Sequence, residues 1–313
     1  MKYAIVTLSI VLAGLLGVVV ASCGTDTGAQ SAGPVPGASG ATPEAGISGS
    51  DTGSDSLPAS TETTSEGTTG GSDSVSYQVW FHRGEQLFVV RRTEKALPRV
   101  GSAAVQALLA GPSQSEQSAG VDTQIPGGTK LLALRIDKGI ATVDLTSEYQ
   151  AGGGSASMTM RLAQVVCTLD QFPTVKGVLF KLDGQSVDVL GGEGIVIGHP
   201  LRCANYDDLL PAILVESPGI GQVIENPVTV SGTANVFEAN VTVDIVDSGG
   251  RVVGTAFTTA TCGTGCRGTF SVTIPYQVGA AQQGTIVVHD DDAAGSGHPP
   301  HEVHIPVILE PAS

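Results

Sequence analysis

Residues able to do chemistry gather in two sets in this 313-residue chain. The first is the stretch His289-Asp290-Asp291-Asp292 through His298-Pro299-Pro300-His301-Glu302-Val303-His304, which holds four of the six histidines. Asp290, Asp292 and Gly295 match positions one, three and six of a calcium loop. Ala294 and His301 stand where an oxygen ligand and a bidentate glutamate are required, so calcium is not expected. His298, His301 and Glu302 form the weak alternative, a transition-metal set that His304 joins only if its strand begins late. The reading adopted is a polar loop between two strands, with no metal and no cofactor. The second set is five cysteines, Cys23, Cys167, Cys203, Cys262 and Cys266. A hydrolytic nucleophile has no visible support: there is no G-x-S-x-G elbow, no Walker loop, no H-E-x-x-H and no S-x-x-K in the part that folds. Gly152-Gly153-Gly154-Ser155 reads as the end of a hairpin excursion and the start of a helix. No enzyme is expected.

Cys23 differs from the other cysteines by what precedes it. Lys2 supplies a positive start, Ile5 to Val20 is an almost unbroken apolar run, and Ala21-Ser22 are small residues before the thiol. This is a secretory signal over residues 1–22. Its end, Val20-Ala21-Ser22-Cys23, resembles the bacterial lipobox. That resemblance implies diacylglycerol on the Cys23 thiol, cleavage before it, and acylation (palmitate) of the new amino end. The mature chain is then extracytoplasmic and tethered to the cell membrane. An uncleaved transmembrane anchor remains the alternative, because about 20 apolar residues span a bilayer.

Composition narrows the partners. The formal net charge is −15, and loss of Lys2 with the signal takes it to −16, so nucleic acid is not expected as a partner. With Cys23 given to lipid, four cysteines remain in an oxidising compartment and two disulfides are expected. Four cysteines allow three pairings. The short Cys262-Gly263-Thr264-Gly265-Cys266 spacing makes a local loop simplest and leaves Cys167 for Cys203. A four-cysteine zinc site is the rival, although only one close pair is present.

The elements follow from periodicity. Residues 23–74 comprise the candidate lipidated cysteine and a Gly, Ser, Thr, Ala and Pro tract with seven acids and no Lys or Arg, too polar to bury a core. A flexible tract of that length spans about 40 Å. Alternation from Val75 to Phe81, a break at Arg83-Gly84-Glu85, and Leu87 to Val90 predict a hairpin. Helical spacing of Val100, Ala103, Ala104, Ala107 and Leu108 predicts a helix over 99–110, stopped by Gly111-Pro112. A second hairpin turns at Asp137-Lys138-Gly139, a second helix runs from Ser157 to Asp170, and two strands flank Asp183-Gly184. This order favours a sheet covered by two helices. After an irregular connector, residues 191–212, about seven short alternating runs between 213 and 310 predict an all-β immunoglobulin-like sandwich.

Two family resemblances attach to these residues. Leu108-Leu109-Ala110-Gly111-Pro112, Ile125-Pro126-Gly127-Gly128-Thr129, Val143-Asp144-Leu145-Thr146, Thr168-Leu169 and Asp183-Gly184 resemble the GerMN (sporulation and spore germination) family over residues 75–190. The resemblance implies a small α+β domain, related to ring-building modules of envelope complexes and without catalytic residues. Ile224 to Ala234, Val236-Phe237-Glu238-Ala239 and Gly268-Thr269-Phe270 resemble the Gmad2 immunoglobulin-like family over residues 213–310. Together they imply a non-catalytic lipoprotein whose partner is an envelope protein or a cell-wall component. The alternative is an extracytoplasmic ligand or metal carrier that uses the sandwich loops.

Overall fold

The computed structural model describes residues 74–95, 98–192, 194–292, 295, 297 and 299–311. The signal, Cys23 and the polar tract up to residue 73, as well as Ala294 and His298, lie outside the described residues. No helix among the described residues is long and apolar enough to cross a membrane.

Alternating apolar residues build the first hairpin from β1 (Ser74–Arg83) and β2 (Gln86–Lys95), with Trp80 opposite Val89 and Phe81 opposite Phe88. Helix α1 (Val100–Ala110) buries Ala103, Ala104, Val105 and Leu108 and ends at Gly111, whose φ is 83°. A five-residue helix α2 (Gln114–Ser118) follows, started by a capping box in which Ser113 and Glu116 bond each other's backbone N–H. The short β3 (Val121–Asp122) then pairs with the end of β1.

The second hairpin joins β4 (Leu131–Asp137) to β5 (Ile140–Leu145). Its turn places Lys138 at φ 48° and Gly139 at φ 87°, the left-handed pair that a two-residue hairpin turn demands. Helix α3 (Ser155–Asp170) crosses over to β6 (Gly177–Leu182), which runs parallel to β5, and β7 (Gln185–Ser186) completes the order β4-β5-β6-β7. A two-residue pair, β8 (Val189–Leu190) with β9 (Ile195–Val196), leads into the connector. The expected single sheet is therefore two, β2-β1-β3 and β4-β5-β6-β7.

Helix α3 explains how the split is tolerated. It is buried on nearly every side, and its polar residues serve the edge of β1 that β3 is too short to cover. Gln171 accepts from Gln78 N–H and donates to Gln78 C=O, both at 2.7 Å. Thr168 Oγ1 accepts from Trp80 N–H at 3.0 Å, and Gln164 Nε2 donates to Trp80 C=O at 3.3 Å. Side chains of a helix replace a missing strand, which satisfies backbone groups that burial would otherwise leave costly.

The second domain contains β10 (Ile213–Ser217), β11 (Val223–Ile224), β12 (Val228–Ala234), β13 (Asn240–Asp247), β14 (Val252–Thr259), β15 (Gly268–Ile274), β16 (Gln282–His289) and β17 (Glu302–Leu309). They form sheets of order β10-β12-β15 and β11-β17-β16-β13-β14. Val230, Val241, Val243, Ile245, Phe270, Ile286 and Ile305 fill the space between them. The architecture is thus a small α+β domain followed by an all-β immunoglobulin-like sandwich.

Candidate functional site

The histidine-rich stretch joins β16 to β17 and is organised by one carboxylate. Asp290 is 2% exposed; it accepts from the backbone N–H of His301 at 3.0 Å, and His301 Nδ1 lies 2.7 Å from its Oδ2. Glu302 is the first residue of β17 and pairs with the imidazole of His304 two residues on, where the strand places both on one face. His289 Nε2 lies 3.5 Å from Asp244 Oδ2, and the other oxygen of that carboxylate accepts from Thr255 Oγ1 at 2.6 Å. His301 and Glu302 therefore have different partners, and His298 lies outside the described residues. Among the described residues no group of three or more His, Cys, Asp or Glu side chains is arranged to hold a metal ion.

The four cysteines are joined as Cys167–Cys203 and Cys262–Cys266. The first ties α3 to a short 3-10 segment, Cys203–Leu209, in the connector. Asp170 reinforces the tie by accepting from Arg202 Nε at 2.6 Å and from Cys203 N–H at 3.1 Å. Arg267 of the sandwich holds the far end of the connector, donating to Pro211 C=O at 2.6 Å and to Thr233 Oγ1 at 3.2 Å. Burial lowers the Arg267 pKa from its ordinary value, opposed by the Asp207 carboxylate.

The described residues of the two domains lie within one compact unit. Arg83, at the tip of the first hairpin, donates to His304 C=O of β17 at 3.0 Å and sits 5.7 Å from the centre of the Phe88 ring. Burial lowers its pKa from the usual arginine value. Gln78 Nε2 donates to Glu216 Oε2 of β10 at 3.0 Å. Between these contacts lies a cavity of about 270 Å³, walled by Leu87 and Phe88 on one side and Leu214, Glu302 and His304 on the other. A wider cleft of about 750 Å³ opens between α2 and β16–β17, lined by Ser115, Ser118, Thr285 and Pro306. Sequence reasoning singled out Asp290 only as a calcium-loop position and missed its buried role, Arg83 and both clefts. Asp290 sits in a conspicuous acidic run, but its burial depends on the sandwich closing over it; the clefts depend on how two domains meet, which no local pattern encodes.

Two family models match the chain, one on each side of the connector. The model described as sporulation and spore germination (Germane) matches residues 75–188, and that described as the immunoglobulin-like domain of bacterial spore germination (Gmad2) matches residues 212–296. Among solved structures, the first GerMN domain of the sporulation protein GerM from Bacillus subtilis is 20% identical, covering 41% of this chain and 97% of that one at a TM-score of 0.35. A Clostridium perfringens protein described as a candidate lipoprotein is 23% identical, covering 42% of this chain and 89% of its own at a TM-score of 0.32. The tandem GerMN domains of the Bacillus subtilis protein are 12% identical, covering 77% of this chain and 62% of that one at a TM-score of 0.38. Comparison with curated proteins gives no match. On its two family models, the chain carries a GerMN-type sporulation and spore-germination domain followed by a Gmad2 immunoglobulin-like domain.

Proposed function

We propose that the protein is a non-catalytic lipoprotein of the cell envelope, held at the membrane through lipid on Cys23 and acting as an assembly or cell-wall binding module outside the cytoplasm. The observation that carries this reading is the junction. A connector pinned by a disulfide and by Arg267, with Arg83 and Gln78 reaching across, joins the two domains into one unit with open clefts between them. That arrangement suits presentation of a fixed surface to a partner. Neither matched family is described as catalytic. Its partner is an envelope protein or a wall component, and the acidic balance disfavours nucleic acid.

Anchoring is tested by fractionating cells that make the full chain or its Cys23→Ala variant, with fatty-acid labelling in parallel. The full chain should take up label and sediment with membranes, whereas the variant should do neither. Equal membrane retention and correct processing of the variant would remove the lipid from the account.

A further inference from the structure

Strand β4 ends the four-stranded sheet: β5 pairs with one of its sides and, among the described residues, no strand pairs with the other. The two-residue turn at Lys138-Gly139 makes Asp137 and Ile140 a hydrogen-bonded pair, so by alternation Leu134 and Ile136 turn their N–H and C=O groups outward. A bulge disturbs only the start of the strand, between Leu131 and Ala133, and the register beyond it is regular. The side chains of Leu134 and Ile136 share a face with Ala141, Val143 and Phe180, all buried, yet Ile136 is 41% exposed. The core face of this sheet therefore runs out past the helices that cover it. Two grooves of about 460 and 450 Å³ flank Leu134, between β4 and the start of α1. Phe172 walls the first, and Gly101 lets Leu134 come close, since a Cβ there would lie 3.3 Å from Leu134 Cδ2. An apolar floor beside a row of open backbone groups is what an added strand requires.

The charges at the grooves identify the occupant. Arg99 lines both and Arg135 the first, and no Asp or Glu lines either. Arg92, Arg202 and Arg251 are each paired with a carboxylate, whereas the exposed side chains of Arg99 and Arg135 hold no hydrogen bond or ion pair among the described residues. Helix α1 opens at the same place with no acidic residue in its first turn and no side chain capping it, which adds positive partial charge. The domain that carries the grooves is close to neutral, 11 Lys and Arg against 10 Asp and Glu between residues 75 and 190, so the acidic excess of the chain lies elsewhere. A second copy is a poor occupant: the antiparallel pairing that overlaps residues 133–137 fully sets Arg135 opposite Arg135, and like charges so placed repel. The chain's own acidic tract, residues 24–73, has the charge but only three large apolar residues, Val35, Ile47 and Leu57, too far apart to fill neighbouring sites over Leu134 and Ile136. We propose that the open edge of β4 takes, as an added strand, an extended segment of an envelope protein in which acidic and apolar residues alternate. The alternation puts apolar side chains over Leu134 and Ile136 and acids beside Arg135. This rests on the assembly reading above and gives the chemistry of the partner.

The test is fluorescence anisotropy of a labelled heptapeptide, Glu-Val-Glu-Val-Glu-Val-Glu with blocked ends, titrated with the full chain in neutral detergent micelles. Saturable binding is expected, and the same peptide with lysine at every glutamate should not bind. Arg135→Glu should weaken binding about three- to tenfold, because it trades an opposite-charge cross-strand pair for a like-charge one. Ile136→Pro removes an outward N–H that β5 does not use; it should abolish binding and keep the fold, since edge strands accept proline at such positions. Phe257→Ala, on the sandwich, should change nothing. Arg135 is solvent-exposed, so its variant reads the groove even where Ile136→Pro fails to fold. Three results overturn the proposal: no binding up to millimolar peptide, binding that both groove variants leave intact, or binding that appears only once residues 30–70 are deleted, which would put the chain's own tract in the groove. Membrane fractionation of the Cys23→Ala variant reads the anchored role separately, so a failed titration removes this groove and leaves that role standing.

Discussion

Glu116 shows how much a single side chain can be asked to do. It closes the capping box of α2 through Ser113 N–H at 2.7 Å and takes both terminal nitrogens of Arg92 on β2, at 2.6 and 2.7 Å. Burial alone would raise its pKa, but the Arg92 hydrogen bonds, the Ser113 backbone and the Arg92 charge outweigh it and hold the carboxyl below its ordinary value of 4.5. A carboxylate depressed in the folded state contributes stability above its unfolded pKa, and that contribution is lost as pH falls through the folded value. Glu116→Gln should therefore cost about 1.5–3 kcal/mol near pH 7, the range for hydrogen bonds to a charged group. The gap between variant and parent should narrow as pH falls below 4.5 and close once it passes the lowered folded value, as followed by denaturant melts. A gap that persists in acid would mean the glutamate acts through shape. Ser113-Gln114-Ser115-Glu116 is a readable capping signature, yet a five-residue helix has no apolar period to support it, and the Arg92 partner lies 24 residues away.

At the scale of elements, the two disulfides should differ in value because they close loops of different length. Cys167–Cys203 spans 36 residues and Cys262–Cys266 spans 4. Chain-entropy scaling gives about 4 kcal/mol for the first and about 2 kcal/mol for the second. Replacing the first pair with serine should lower the melting temperature clearly more than replacing the second; the reverse order would show that the small loop bears more of the sandwich than its length implies. The hairpins, α1, α3 and the sandwich strands were legible because each repeats apolar residues at its own period. The division of the first domain into two sheets was not. It depends on Thr168, Gln164 and Gln171 turning inward to serve β1, and polar residues on an otherwise apolar helix read as a solvent face until the packing is known. Gly232 was equally silent: a Cβ there would meet Leu214 C=O at 2.0 Å, so β10 and β12 pair closely only because that side chain is missing.

The whole molecule depends on whether its two domains move as one. Arg83→Ala removes the donor to His304 C=O and the cation over Phe88 while leaving both cores intact. The parent should melt in one calorimetric transition and resist proteolysis between residues 191 and 212. The variant should show two transitions or early cleavage there; unchanged behaviour would assign the junction to the disulfide and Arg267 alone. Charge follows the same division. Between residues 75 and 190, 11 Lys and Arg face 10 Asp and Glu, whereas between 213 and 310 there are 2 against 10, so the sandwich carries most of the folded part's negative field. The central claim, that this is an anchored binding module, is tested most directly by photocrosslinking in intact cells. The photoreactive residue is placed at Thr255 or at Gln283, an exposed side chain lining the wider cleft, in the full chain, and the products are identified by mass spectrometry. The account predicts that one envelope component, glycan or protein, is captured reproducibly from the membrane fraction at both positions. A chain recovered free of membrane, or uncrosslinked at both positions, would contradict it.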